Sequence, residues 1–336
     1  MINEHRSIDP PIRVPGEWNV AETARIAAFI RDGRDWEGMR IPHPTLSLAI
    51  QLFDGERLTV AVDLADQPKP ANQGRGAIDI SYQSGPDDTH IRLSEHSRDD
   101  EKLLPFFTAL VRNLGDARDE RAAARAVRNT LESWRRAFAE KPPTLSKAEL
   151  IGLAGELTVL EYLVDTVKRN GPAEVVSWWR GPAGADHDFS IPGYFDLEVK
   201  ATNPTSARLQ ISNEFQLEAG ALPLYLLHVG IQEARPSASN AKQLSGEIRR
   251  LSTKFDAAGL AEFEAQLHAI NIDEQSPELL DFYFISSGVD WYAIEPGVPR
   301  ITSGELPPGV RNVRYEISIE QLARHGRRPL DILEGL

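Results

Sequence analysis

The chain contains no cysteine, which excludes disulfides and thiolate metal sites. That absence agrees with a reducing cytoplasm. No apolar run approaches the roughly 18 residues needed to cross a membrane, and Met1 to Arg6 lacks a signal-peptide apolar region. A Walker A loop, a serine-hydrolase elbow and internal repeats are also missing. No two of the eight histidines have zinc-ligand spacing, so all are read as structural or surface residues. Positive charge is scarce: 37 Lys and Arg against 50 Asp and Glu give a net −13. Such a surface does not coat nucleic acid nonspecifically. A local basic groove remains open, because phosphate contacts need only a few well-placed cations.

What is present is ordinary globular material. The 336 residues, 41% hydrophobic and 26% charged, suffice for one large domain or two. Alternating segments at 45–53, 58–64, 77–83 and 89–93 predict an N-terminal sheet of antiparallel strands. A helix at 103–113 follows, then a longer one at 116–139 with Ala123, Val127, Leu131, Trp134 and Phe138 at helical spacing. Beside that stripe stand Arg118, Arg121, Arg125, Arg128 and Arg135. Arginines on one helical face can grip phosphates bidentately, which makes Arg118, Arg121, Arg125 and Arg128 candidate DNA contacts. Asp119, Glu120 and Glu132 favour a plain solvated face instead. Lys141-Pro142-Pro143 breaks the helical pattern. The predicted domains are therefore 1–140, an α+β unit ending in long helices, and 141–336.

The second half opens on a helix signal. Ser146 is a candidate N-cap with Glu149 three residues on, a capping box. Leu150, Leu153, Leu157, Leu160, Val164 and Val167 then predict a helix over 146–168 packed on a sheet. Glu156 lies roughly 70° off the centre of that stripe, either reaching a metal as an outer ligand or serving as a boundary glutamate. Gly155 beside it allows close approach to the sheet. Strands are expected at 175–179, 209–212, 222–231, 282–286, 291–294 and 313–317. Helices are expected near 213–217, over 241–269 and from 320.

The chemistry concentrates between Trp178 and Ile211. Asp188 precedes Phe189-Ser190-Ile191, a Pro192-Gly193 turn follows, and residues 194–199 resume an extended pattern into Glu198-Val199-Lys200. This predicts a hairpin with Asp188 on its first strand and Glu198 and Lys200 on one face of its second. Two carboxylates and an ammonium would converge, a sensible way to hold a hard divalent cation beside a positioned water. An acid two residues before a lysine is a weak signal alone. It occurs twice among eight lysines, at Asp100/Lys102 in a charge run and at Glu198/Lys200. Only the second is embedded in apolar strand sequence, where a charge is costly unless paired or metal-bound.

At these residues the sequence resembles the PD-(D/E)XK nuclease superfamily, and within it the bacterial proteins called "PD-(D/E)XK motif protein". The matching pieces are Gly155-Glu156, His187-Asp188-Phe189 and Leu197-Glu198-Val199-Lys200, followed by a polar segment at 210–217. The Pro of the motif is absent, which leaves Asp186 and Asp188 as alternatives; alternation in phase with Ser190 favours Asp188. The resemblance implies an α/β (α+β) fold with a restriction-endonuclease-like αβββαβ core. It also implies Asp188, Glu198, Lys200 and Glu156 as catalytic residues, and Mg²⁺ or Mn²⁺ held by Asp188, Glu198 and the Val199 carbonyl. Gln216 stands where relatives point a polar residue at DNA or the site, with a helix-surface glutamine as the bland alternative. The expected function is a Mg²⁺-dependent DNA endonuclease of a bacterial restriction or anti-phage system, beside ATPase, helicase-like or methyltransferase partners. A catalytically silent DNA-binding or scaffold subunit is the alternative. Whether the chain forms a homo-oligomer stays open.

Overall fold

A computed structural model describes residue 25, the backbone of five N-terminal strands, and residues 100–134 and 144–336 apart from 271, 273, 274 and 311. The chain divides into two compact units, 1–140 and 141–336. In the first, β1 (Met39–Pro42), β2 (Ala49–Phe53), β3 (Thr59–Leu64), β4 (Ile78–Ser84) and β5 (Thr89–Glu95) form one sheet in the order β1-β2-β3-β5-β4. Every pairing in it is antiparallel. Helices α1 (Asp100–Gly115) and α2 (Glu120–Trp134) follow. The predicted apolar stripe of α2 is buried at Ala123, Val127, Leu131 and Trp134. The helix starts later than the spacing suggested, because the Asp119 carboxylate accepts the Ala122 N–H at 2.7 Å and caps it there. Arg118 thus precedes the helix and is exposed, Arg128 is exposed on it, and Arg125 is half-buried. The Arg121 side chain, Arg135 and Phe138 lie outside the described residues.

The second unit begins with α3 (Lys147–Thr166), capped by the expected box: Ser146 Oγ accepts the Glu149 N–H, and the Glu149 carboxylate accepts the Ser146 N–H. The segment at 175–179, expected to be a strand, is instead a short helix α4 (Pro172–Ser177) with Pro172 in its first turn. Proline there needs no N–H partner and presets φ for a helix, and this local signal outweighs the β-branched Val175 and Val176. Trp179 keeps one bridge to Phe189.

Next come β6 (Phe189–Ile191), β7 (Phe195–Thr202), β8 (Arg208–Ile211), β9 (Leu224–Glu233) and β10 (Lys242–Gln243). Gly193 turns the β6–β7 hairpin at φ 81°, a left-handed conformation that glycine adopts without a Cβ penalty. The segment 241–269 is two helices rather than one, α5 (Leu244–Ser252) and α6 (Ala257–Ala269), since Asp256 caps a fresh start through the Gly259 N–H. After α7 (Pro277–Asp281), the two strands expected at 282–294 are one bulged strand, β11 (Tyr283–Ala293), whose register shifts between Ser286 and Val289. Strand β12 (Tyr315–Ser318) and helices α8 (Ile319–Leu322) and α9 (Leu330–Gly335) close the unit.

The central sheet has the order β10-β11-β9-β7-β6 and is mixed, with β7 parallel to β9 and the other neighbours antiparallel. This is the α/β (α+β) architecture expected. The segment after the motif departs from it: β8 leaves the sheet and pairs with β12 in a separate two-stranded ribbon, and 213–217 is a turn rather than a helix.

Period-two alternation sorts the two faces of the sheet. Phe189, Leu197, Val199, Leu227 and Val229 share one core with Leu150, Leu153, Leu157 and Leu160 of α3. A Cβ on Gly155 would come within 2.5 Å of the Ala201 Cβ, so only glycine allows the helix to lie this close. Leu224, Leu226 and Tyr292, from the opposite face, pack with Leu209, Ile211 and Ile317 of the ribbon. Glu198 pairs in register with Leu226, and Lys200 with His228. Both polar residues therefore belong to the ribbon side of the sheet. Among the described residues, no helix is long and apolar enough to cross a membrane.

Candidate active site

Strand β6 pairs with β7 only as far as Phe189 opposite Leu197. Continuing that antiparallel register by one step would set Asp188 opposite Glu198, on one face. Asp188 has just left the strand, one residue earlier than expected. Its backbone carbonyl accepts the Arg180 and Gly181 N–H groups at 2.7 and 3.0 Å. Its Oδ2 accepts the Val199 N–H at 2.7 Å, so the side chain caps the edge that β6 leaves uncovered. Asp188 is an acid that the fold brings to this edge, as the alternation with Ser190 suggested.

Glu198 is 1% exposed, and its Oε1 takes a 2.6 Å hydrogen bond from Lys200 Nζ. The same ammonium donates to Gln216 Oε1 at 2.9 Å. Gln216 Oε1 also accepts the Ser212 N–H at 2.7 Å, while Asn213 Oδ1 holds the turn through the Phe215 and Gln216 N–H groups. Gln216 is therefore turned inward onto Lys200. The Trp179 indole donates to Glu156 Oε2 at 2.7 Å and aims it from α3.

Gly181 marks where these acids meet. A Cβ there would lie 2.8 Å from Asp188 Oδ1 and 3.0 Å from Glu156 Oε2. Each carboxylate has one oxygen held by the protein (Asp188 by Val199, Glu198 by Lys200, Glu156 by Trp179), and among the described residues its other oxygen takes no hydrogen bond.

The electrostatics carry the mark of crowded acids. Burial, then the Asp188 charge, pushes the Glu156 carboxyl up to about 8, against the Trp179 hydrogen bond and Lys200. Burial raises Asp188, with Lys200, the Val199 N–H and His187 opposing. Glu198 is driven well above the usual carboxylate range by burial and Asp188, with Lys200 pulling down. Three acids face one ammonium, so full ionisation leaves uncompensated negative charge in a poorly solvated place. A cation relieves it.

The donors are all oxygens, which suits a hard divalent ion. Among the described residues no three His, Asp or Glu side chains cage a metal by themselves. Two carboxylates, a carbonyl and waters are nonetheless a set that Mg²⁺ accepts. The residues fit the group.

The four residues stand in chain order as helix glutamate, strand-edge aspartate, then Glu-x-Lys on the next strand. The DUF4420 family model, described as "Putative PD-(D/E)XK family member", matches residues 21–320. The chain belongs to this family. No curated protein and no solved structure matches it. Its mixed sheet with flanking helices is consistent with the PD-(D/E)XK restriction-endonuclease-like fold, whose nucleases generally use divalent metals.

For this DUF4420 chain the sequence located Glu156, Asp188, Glu198, Lys200 and Gln216, and the fold brings all five together. It missed Trp179 and Gly181, which contribute an indole N–H and a Cβ-free backbone against which the Asp188 and Glu156 carboxylates pack. The only signal for them was the Trp178-Trp179-Arg180-Gly181 run just upstream of the motif. The arginines of α2 belong to the other compact unit. Arg250 and Lys254, an alternative basic patch, are already tied to Glu247, Glu161 and Asp165.

Proposed function

We propose that this protein is a metal-dependent DNA endonuclease that hydrolyses phosphodiester bonds, with Mg²⁺ or Mn²⁺ held by Asp188, Glu198 and the Val199 carbonyl. The observation that carries this reading is the meeting of Glu156, Asp188, Glu198 and Lys200 at the uncovered edge of β7. When bound, the cation would supply Lewis acidity toward the scissile phosphate and a more acidic water. An ammonium has three donors. Glu198 and Gln216 take two of those on Lys200, and the third is left to orient a water or meet the charge developing on the phosphate. Glu156, held near neutrality at about 8, can keep or release a proton in the working range.

The chain has no motor motif of its own, so we place it as the nuclease component of a bacterial restriction or anti-phage system. ATPase, helicase-like or methyltransferase partners would choose or move the DNA. Plasmid incubated with the purified protein, with and without Mg²⁺ or Mn²⁺, tests the reading. Metal-dependent nicking lost in Lys200→Ala supports it. DNA binding without cleavage, even with partners supplied, would leave a silent DNA-binding subunit.

A further inference from the structure

Lys200 is not the only cation on its side of the sheet. The connection between β11 and β12 carries Arg300, half-buried, with an Nη1 that is sealed from solvent and makes no hydrogen bond. Arg300 forms no ion pair among the described residues. Glu305, whose charge it feels, spends Oε2 on the Thr302 N–H and hydroxyl, both at 2.9 Å. An unmet buried donor on a charged group costs more than one on a neutral group. The residue as a whole is only half-buried, so it is from its solvent side that an anion can meet the unpaired guanidinium.

The connection is fastened where it matters. The Glu214 carboxylate, 2% exposed, accepts the Asn312 and Val313 N–H groups at 3.2 and 2.9 Å. The Glu218 carboxylate accepts the Ser303 N–H at 3.2 Å and its hydroxyl at 3.0 Å. Both glutamates flank Gln216 on the turn that holds Lys200. Tyr315 stands opposite Ile211 in the ribbon; its hydroxyl accepts the Ile301 N–H at 3.1 Å and donates to the Ile301 carbonyl at 3.4 Å, fixing the backbone beside Arg300. Burial raises the Tyr315 hydroxyl, while the Ile301 backbone, Arg300 and Lys200 draw it down. Both cations therefore act on one phenol.

We infer that Arg300, on the backbone that Tyr315 fixes, grips a backbone phosphate of the nucleic acid strand next to the phosphate presented to Lys200. A guanidinium matches a phosphate with two parallel N–H donors, and its clamped loop gives it a fixed place relative to the metal site. The inference rests on the nuclease reading and adds a strand-positioning contact to it.

The test is binding of a short labelled DNA duplex, with Ca²⁺ in place of Mg²⁺ so that cleavage does not intrude. Arg300→Gln should weaken binding about tenfold and lower the slope of log K against log salt by about one. Its thermal midpoint should hold, since the variant removes an unpaired buried charge. Arg300→Lys keeps the charge and loses the fork, so it should retain the slope while losing a few-fold in affinity. Wild-type protein that binds the duplex, with both variants matching it in affinity and slope, overturns the inference and leaves the nuclease reading intact. Wild-type protein that binds no DNA, alone or with partners, overturns both.

Discussion

Asp188 grips the Val199 N–H with one carboxylate oxygen at 2.7 Å and turns the other toward Glu156 over Gly181. One residue thus closes the edge of the sheet and opens the site. Its neighbour across the unfinished ladder, Glu198, is tied to Lys200.

Lys200→Ala should separate binding from chemistry. In the proposed reaction the ammonium serves charge that develops in the transition state, so cleavage should fall by about two to three orders of magnitude. Affinity for DNA in Ca²⁺ should change little. An equal loss in both assays would mean that Lys200 is a binding residue only.

Glu156 makes stability depend on pH in a stated direction. Unfolded, it loses its proton near 4.5; folded, it keeps it to about 8. Between these values the native state binds more protons, so stability falls as pH rises through that window. A divalent cation offsets this by favouring the ionised acids. Mg²⁺ or Mn²⁺ should therefore raise the melting temperature more at pH 8.5 than at pH 6, and chelation should reverse it. A shift of equal size at both pH values would argue against these acids as the ligands.

Gly181→Ala should act chiefly on metal binding. Its Cβ would stand 2.8 Å from Asp188 Oδ1 and 3.0 Å from Glu156 Oε2, so these side-chain ends must shift and the acids lose the arrangement proposed to hold a cation. The expected result is a metal-free melting temperature within a few degrees of wild type and no further rise on adding Mn²⁺. A full metal-induced rise in this variant would place the cation elsewhere.

Two glycines of α3 should respond in opposite directions. Alanine at Gly155 would press its Cβ to 2.5 Å from Ala201, whereas Gly152 has nothing within 4 Å. Denaturant unfolding should show Gly155→Ala destabilised by about 1–3 kcal/mol and Gly152→Ala stabilised by up to about 1 kcal/mol. Comparable values for the two would mean that α3 is free to shift on the sheet.

Arg118, just before α2, and Arg128, on it, offer an independent test. If they follow a DNA backbone, replacing both with alanine should weaken binding alike for every sequence and reduce the salt slope by about two. An unchanged slope would leave these arginines merely solvated.

The sequence disclosed what is local and repetitive. Ser146, Glu149 and the leucine stripe announce α3 because capping and packing both act within a few turns. Pro192-Gly193 announces the hairpin because only a turn uses such a pair. Residues 175–179 misled because valines and tryptophans look extended, while Gly171-Pro172 had already begun a helix. Gln216 was placed near the site from the resemblance, but its inward aim depends on Lys200, sixteen residues away in the chain. The reach of Trp179 to Glu156 and of the 300–315 connection to the Lys200 turn are long-range contacts, and no short window contains them.

The ribbon of β8 and β12 joins residues 208–211 to 315–318, so one wall of the Lys200 turn is supplied more than a hundred residues after the motif itself. Synthesis proceeds from the N-terminus at roughly 5–20 residues per second. Asp188, Glu198 and Lys200 therefore leave the ribosome several seconds before Tyr315 and the strand that seats it. During that interval the acids exist without the support that fixes Gln216 and the Arg300 loop. For the nuclease proposed above, a site that waits on a strand made so much later than its acids is a built-in delay.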